Sequence, residues 1–267
     1  LTPYFGLAFA VFCGFVANFA YHSCLVVYNS FLPDISKKNR GMTSGQGVSL
    51  GYFGTLASIL VVFLAAGKIG LESPLGVTYA ILATAAFFFV FSIPLFVVFW
   101  HEKTRVFSLS VQATIKEVAS TAVSLPKDRE VWYLLCGSFY YSNAISAAII
   151  FLGLYARQEV HMSIPAFLFG VYPALAIAAA IGAFMAGPLS DNYGPRKVMI
   201  SSGVVWILSL ILMIYSIDDS SIFTIGACLG GAGMGAIWTA RRPLLLDLAP
   251  GRKVGEYFGF EELSDKF

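Results

Sequence analysis

Two apolar stretches of this chain carry polar side chains at helical spacing. On the first, Asn18, Tyr21, His22 and Asn29 fall on one stripe at about 100° per residue. On the fourth, Ser138, Tyr141, Ser142 and Ser146 make a similar stripe, with Tyr140 and Asn143 on its other side. Amides, hydroxyls, phenols and an imidazole both donate and accept hydrogen bonds, so such stripes bind polar solutes or cross-link helices. A polar group at membrane depth is costly without a partner or water, so both stripes are expected to face a cavity or one another. For His22 the choice lies between a proton carrier and a structural histidine held by a hydrogen bond.

A third constellation is the run Gly187-Pro188-Leu189-Ser190-Asp191-Asn192-Tyr193-Gly194-Pro195-Arg196-Lys197. Gly194 permits a tight reversal, Asp191 can accept backbone N–H groups or pair with a cation, and Arg196-Lys197 anchor that end. The cations open to Asp191 are Arg196, or Arg241 and Arg242 at the end of a later apolar stretch. A helix beginning after Gly255 is a further target for its carboxylate.

What is missing excludes whole classes of chemistry. No apolar stretch contains Lys, so there is no Schiff-base site for retinal. Asp pairs and His/Glu clusters at depth, which membrane proteases and metal-dependent enzymes need, are absent from the same stretches. No catalytic residue, metal site or cofactor is therefore expected. Nor does any stretch carry a midplane carboxylate for coupling to protons or sodium. The four cysteines (Cys13, Cys24, Cys136, Cys228) form no CxxC pair and read as small buried hydrophobes.

The elements that position these groups are membrane spans. Of the 267 residues 58% are hydrophobic and 12% charged, about half the charge of a soluble domain, so lipid must cover what water would not. A span takes roughly 20 apolar residues. Seven stretches qualify, at about 4–29, 47–67, 75–100, 131–155, 164–187, 198–217 and 221–240, and none contains Asp, Glu, Lys or Arg. The tail from Gly255 reads as the start of an eighth. The chain opens inside an apolar stretch, and no cleavable leader is visible in it.

Alternate connections hold fourteen basic residues (Lys37, Lys38, Arg40; Lys103, Arg105, Lys116, Lys127, Arg129; Arg196, Lys197; Arg241, Arg242, Arg252, Lys253) against two in the others, Lys68 and Arg157. The basic set is expected to face the cytoplasm. A net charge of +2 with no basic helix face excludes a nucleic-acid partner. The longest connection, 101–130, places Val111, Ile115, Val118, Ala122 and Leu125 at helical spacing, as in a helix on the membrane surface or a solvated linker helix. It divides the chain into residues 1–100, a linker 101–130 and residues 131–267. Gly47, Gly51 and Gly54 share a face, and Gly226, Gly230, Gly231 and Gly235 make overlapping GxxxG patterns, which predicts close helix packing.

The run from Gly187 to Lys197 resembles the signature loop of the major facilitator superfamily, G-x-L-x-D-x-x-G-x-[RK]-[RK]. A narrower resemblance covers almost the whole chain. Tyr28-Asn29-Ser30-Phe31-Leu32-Pro33-Asp34-Ile35, the run Gly45 to Gly54 and the run Gly251 to Phe260 look like the vacuole-effluxer-like branch, which includes fungal vacuolar exporters of amino acids. Trp238-Thr239 and Ser142-Asn143 depart from that branch, whose members more often have a Gln-Ala-Leu-Ser-like run and an Asp-Gly pair there.

The resemblance implies an all-α polytopic membrane protein of two helical bundles, with these spans as helices four to ten of twelve and the start of eleven. It implies alternating-access transport of a small solute, amino acids first, with the two polar stripes lining the path and the Gly187–Lys197 loop, with Arg241 and Arg242, as the gate. The expected partners are the lipid bilayer and that solute. The alternative is a non-transporting subunit that uses the same fold to hold a protein complex. The bacterial cytoplasmic membrane is the expected location, or the vacuolar membrane in a eukaryote.

Overall fold

The computed structural model describes residues 2–66, 69–70, 73–99, 111–163, 166–249 and 253–264. Lys68, Glu72, Lys103, Arg105, Arg252 and the chain after Ser264 lie outside the described residues. All regular structure within them is helical: α1 (Thr2–Ser30), the short α2 (Leu32–Ile35), α3 (Arg40–Ala66), α4 (Pro74–Phe99) and α5 (Val111–Ser124) come first. Then follow α6 (Arg129–Gln158), α7 (Tyr172–Tyr193), α8 (Pro195–Ile214), α9 (Ser220–Leu248) and α10 (Val254–Ser264). Seven of these helices are long and apolar enough to cross a membrane, matching the seven expected stretches.

The helices overrun the apolar stretches at their charged ends. α3 starts at Arg40 rather than near 47, and α9 continues to Leu248, past Arg241, Arg242 and Asp247. Counting apolar residues stops at the first charge, whereas a helix stops where its backbone hydrogen bonds end. The 29 residues of α9 extend roughly 43 Å at 1.5 Å each, against about 30 Å of hydrocarbon. Arg241 and Arg242 are therefore helical residues, not members of a connection.

The chain forms two compact units that do not follow chain order: Leu1–Gly14 with Gly54–Ala119, and Phe15–Phe53 with Ser120–Phe267. In the first, α4 is the most apolar of the seven membrane-length helices. Ser73 starts it, its Oγ accepting the Gly76 N–H at 3.0 Å ahead of Pro74.

In the second unit α9 packs between α7 and α8, and its small residues decide how closely. A Cβ on Gly231 would lie 2.5 Å from the Leu175 carbonyl of α7, and one on Gly230 would lie 2.5 Å from Ser209 Oγ of α8. The GxxxG prediction holds here. It fails for Gly51 and Gly54, where an added Cβ meets nothing within 4 Å among the described residues. The close approach of α3 uses Gly41 and Gly45 instead, with their faces on the Gly187 and Ala183 carbonyls.

Two further expectations change. α5 forms, but Thr121 and Leu125 are its buried residues with the turn that follows, while Ile115, Val118 and Ala122 stand exposed. The cysteines are free, Cys24 exposed and the other three half-buried. A thiol on a lipid-facing helix needs no protein cover, so its type does not predict burial.

Candidate functional site

The end of the second unit that holds the α3 N-terminus carries its polar cluster. At the opposite end, the Asp218 N–H donates to the Glu159 carbonyl at 3.2 Å and Asp219 caps α9 through Ser221 and Ile222. The basic-rich connections meet at the first end: Arg40 approaches Asp247 at 3.8 Å, and Lys253 Nζ donates to Thr121 Oγ1 at 2.7 Å.

Asp191 lies on the last turn of α7, just before Gly194 reverses the chain at φ +91°. Its two carboxylate oxygens accept the Gly41 N–H at 2.7 Å and the Met42 N–H at 2.8 Å. These are first-turn donors of α3, which have no partner inside their own helix. The carboxylate thus caps α3, not the helix after Gly255, and makes no ion pair with Arg196, Arg241 or Arg242 among the described residues. The reason is backbone approach: only glycine at 41 and 45 lets α3 cross α7 closely enough. Arg196 and Lys197 are exposed, Arg196 beside a crevice of about 370 Å³ shared with Glu130, Tyr133 and Leu244.

A second α3 contact has a covalent origin. Pro243 inside α9 has no N–H to give the Thr239 carbonyl four residues back. Ser44 Oγ of α3 donates to that carbonyl at 2.9 Å, so a neighbouring helix satisfies the group that proline freed.

The charges sit beside these contacts. Arg241 Nε lies 2.8 Å from Glu261 Oε1, with the two side chains 3% and 0% exposed, so the pair is fully enclosed. The same guanidinium donates to the Tyr141 hydroxyl at 3.1 Å and stacks over Trp238 at 4.3 Å. His22 Nδ1 lies 3.2 Å from Glu262 Oε2, tying α1 to α10. Arg242, one residue on and so turned about 100° away, faces the Tyr28 ring of α1 at 5.6 Å.

The two polar stripes divide accordingly. Ser138 and Ser142 are buried, Tyr141 joins Arg241, Asn29 is buried and His22 is half-buried. Asn18, Tyr21 and Ser146 stand exposed, so the structure does not gather the full stripes into one place. Sequence reasoning missed Glu261 and Glu262 as members of this cluster. Both fall seven or eight residues into α10, outside the seven stretches searched. Their signal was an acidic pair beside Tyr257, Phe258 and Phe260, in a segment otherwise too apolar for exposed glutamates.

Residues 134–265 match the sequence profile of the Major Facilitator Superfamily. This stretch runs from α6 through α10 and contains the signature loop, the arginine pair and both glutamates. The matches support the Major Facilitator Superfamily for this chain. The uncharacterized MFS-type transporter YxiO of Bacillus subtilis is 24% identical over 265 residues, covering 94% of this chain and 60% of that protein. An uncharacterized protein of Aquifex aeolicus is 24% identical over 247 residues, covering 92% and 58%. A glucose transport protein of Synechocystis sp. is 30% identical over 118 residues, covering 42% of this chain and 24% of that protein. The chain thus spans about three fifths of the length of the two relatives it matches most fully. No solved structure matches it. Its seven membrane-length helices and superfamily match support an all-helical integral membrane protein, and a partial major facilitator fold is consistent with both.

Proposed function

We propose that this chain works in an alternating-access membrane carrier for a small solute, with residues 1–100 in one helical bundle, 101–130 as the linker and 131–267 in the other. The observation that carries the reading is the Asp191 carboxylate on the Gly41 and Met42 amides. It is a contact of two polar groups across a glycine crossing, easily made and easily parted. With the basic-rich end in the cytoplasm, the contact closes the inner side, and the charged cluster beside it reinforces closure. Transport rather than chemistry is the activity of this reading.

Amino acids are the proposed substrates, supported by the resemblance to the vacuole-effluxer-like branch and by a site rich in paired charges. The curated relatives are bacterial, which supports the bacterial cytoplasmic membrane. The remaining residues of the two stripes, Asn18, Tyr21, Asn29, Ser138, Ser142 and Ser146, line the path in this reading.

Hydrogen bonds to a charged acceptor at a partly wet surface contribute about 1–3 kcal/mol. Losing them shifts a two-state equilibrium roughly 5- to 150-fold. Asp191→Ala is therefore expected to raise labelling of a reporter cysteine at Ser142 from the cytoplasmic side. It should also slow counterflow of radiolabelled amino acids in proteoliposomes, with folding and membrane insertion retained. Unchanged labelling and unchanged counterflow in a folded variant would reduce the loop to a turn.

A further inference from the structure

Arg241 and Arg242 are neighbours in sequence with opposite circumstances. Arg241 is spent: Glu261, Tyr141 and the Trp238 face occupy its guanidinium, which is 3% exposed. Arg242 is half-buried in a membrane-length helix, with its guanidinium over the Tyr28 ring. Among the described residues no carboxylate lies within ion-pair distance of it and no acceptor takes its N–H groups. A charged side chain inside a membrane protein normally pairs or serves a pathway. The ring lies on one side of the guanidinium, whose fork of N–H donors is the part that binds a carboxylate bidentately.

The surrounding charges narrow the ligand. Arg242 lies within electrostatic reach of Arg241, Glu261 and Glu262. Two cations and two carboxylates already balance. One added carboxylate leaves a single negative charge, which a ligand's own ammonium group cancels. A dianion leaves two, which a half-buried site tolerates less well.

We infer that Arg242, oriented by Tyr28, is an oxyanion subsite that takes the carboxylate of a singly charged or zwitterionic solute. The inference deepens the carrier reading and rests on it for its use. It assigns Arg242 a positioning and specificity role distinct from the structural role of Arg241.

The test uses the full-length protein in phosphatidylcholine nanodiscs, titrated calorimetrically with L-alanine, L-leucine and L-lactate, their matched amides, D-glucose and inorganic phosphate. At least one monocarboxylate is expected to bind saturably, with its amide and phosphate roughly tenfold or more weaker. Arg242→Gln should abolish that binding. Arg242→Lys, which keeps the charge but not the fork, should weaken it about tenfold and covers the case in which the glutamine variant fails to fold. The inference is overturned if no monocarboxylate binds, if amides or glucose bind equally well, or if both variants bind as the wild type does. It is also overturned if the only effect dependent on Arg242 is stabilisation by phosphatidylglycerol nanodiscs, which would identify a lipid phosphate as the occupant. Counterflow separates this from the parent reading. Glucose flux indifferent to Arg242 keeps the carrier and removes the subsite, whereas carboxylate binding without flux of any tested solute keeps the subsite and removes the carrier.

Discussion

Helices α4 and α9 are both long enough to cross a membrane, and they have almost nothing else in common. α4 is the most apolar of the seven, and none of its most apolar stretch is buried within the protein. α9 ties for the least apolar, and 56% of the corresponding stretch is buried. Water-soluble domains run the other way, with the most hydrophobic segment innermost. In lipid, apolar side chains are content at the surface, so the interior goes to residues that permit close backbones or need polar partners. α9 supplies both, with Gly226, Gly230, Gly231 and Gly235 along its length and Thr239, Arg241 and Arg242 at one end.

Breaking the polar end of α9 should have the largest effect. Glu261→Ala leaves the Arg241 guanidinium enclosed without its carboxylate, and removing one member of a buried pair costs about 3–5 kcal/mol. Replacing both, as Arg241→Met with Glu261→Leu, should recover most of that loss. Thermal unfolding in detergent measures both, and a double variant no more stable than the single one would show that the charges are not coupled.

The packed middle of α9 comes next. Gly235→Val places new carbon against the Ala179 carbonyl of α7, where backbone must move, and is expected to cost about 1–3 kcal/mol or more. The smallest effect belongs to α4. Phe89, 67% exposed, should tolerate replacement by leucine within about 0.5 kcal/mol in the same assay. If Phe89→Leu proved as damaging as Gly235→Val, the contrast between a lipid-facing and a buried helix would fail.

Much of the architecture was legible residue by residue. The seven stretches, the helical linker and the reversal at Gly194 all follow from local rules: apolar length, helical spacing, and a positive φ that suits glycine. The resemblance of the Gly187–Lys197 loop led to the superfamily that residues 134–265 independently match. The candidate site was legible only in its parts. Arg241, His22 and Asp191 were marked by type and spacing, yet their partners Glu261, Glu262 and the α3 amides were not. A search for charges inside apolar stretches passes over carboxylates just beyond the last one. A search for side-chain partners of an aspartate passes over backbone N–H groups.

The amino-acid sequence by itself determined that the chain lives in lipid, where its helices fall, and which few residues are too polar for an apolar stretch. These are properties of single segments, set by transfer of each side chain and by hydrogen bonds within each helix. Only the tertiary structure decided which arginine is spent and which is free. Arg241 and Arg242 have the same chemistry and adjacent positions, and a turn of about 100° sends one to Glu261 and the other to Tyr28. That choice depends on how close α9 comes to α7 and α3, which rests on glycines facing carbonyls far away in the chain. Pair distances across helices are set by packing of backbones, a property that no one segment possesses.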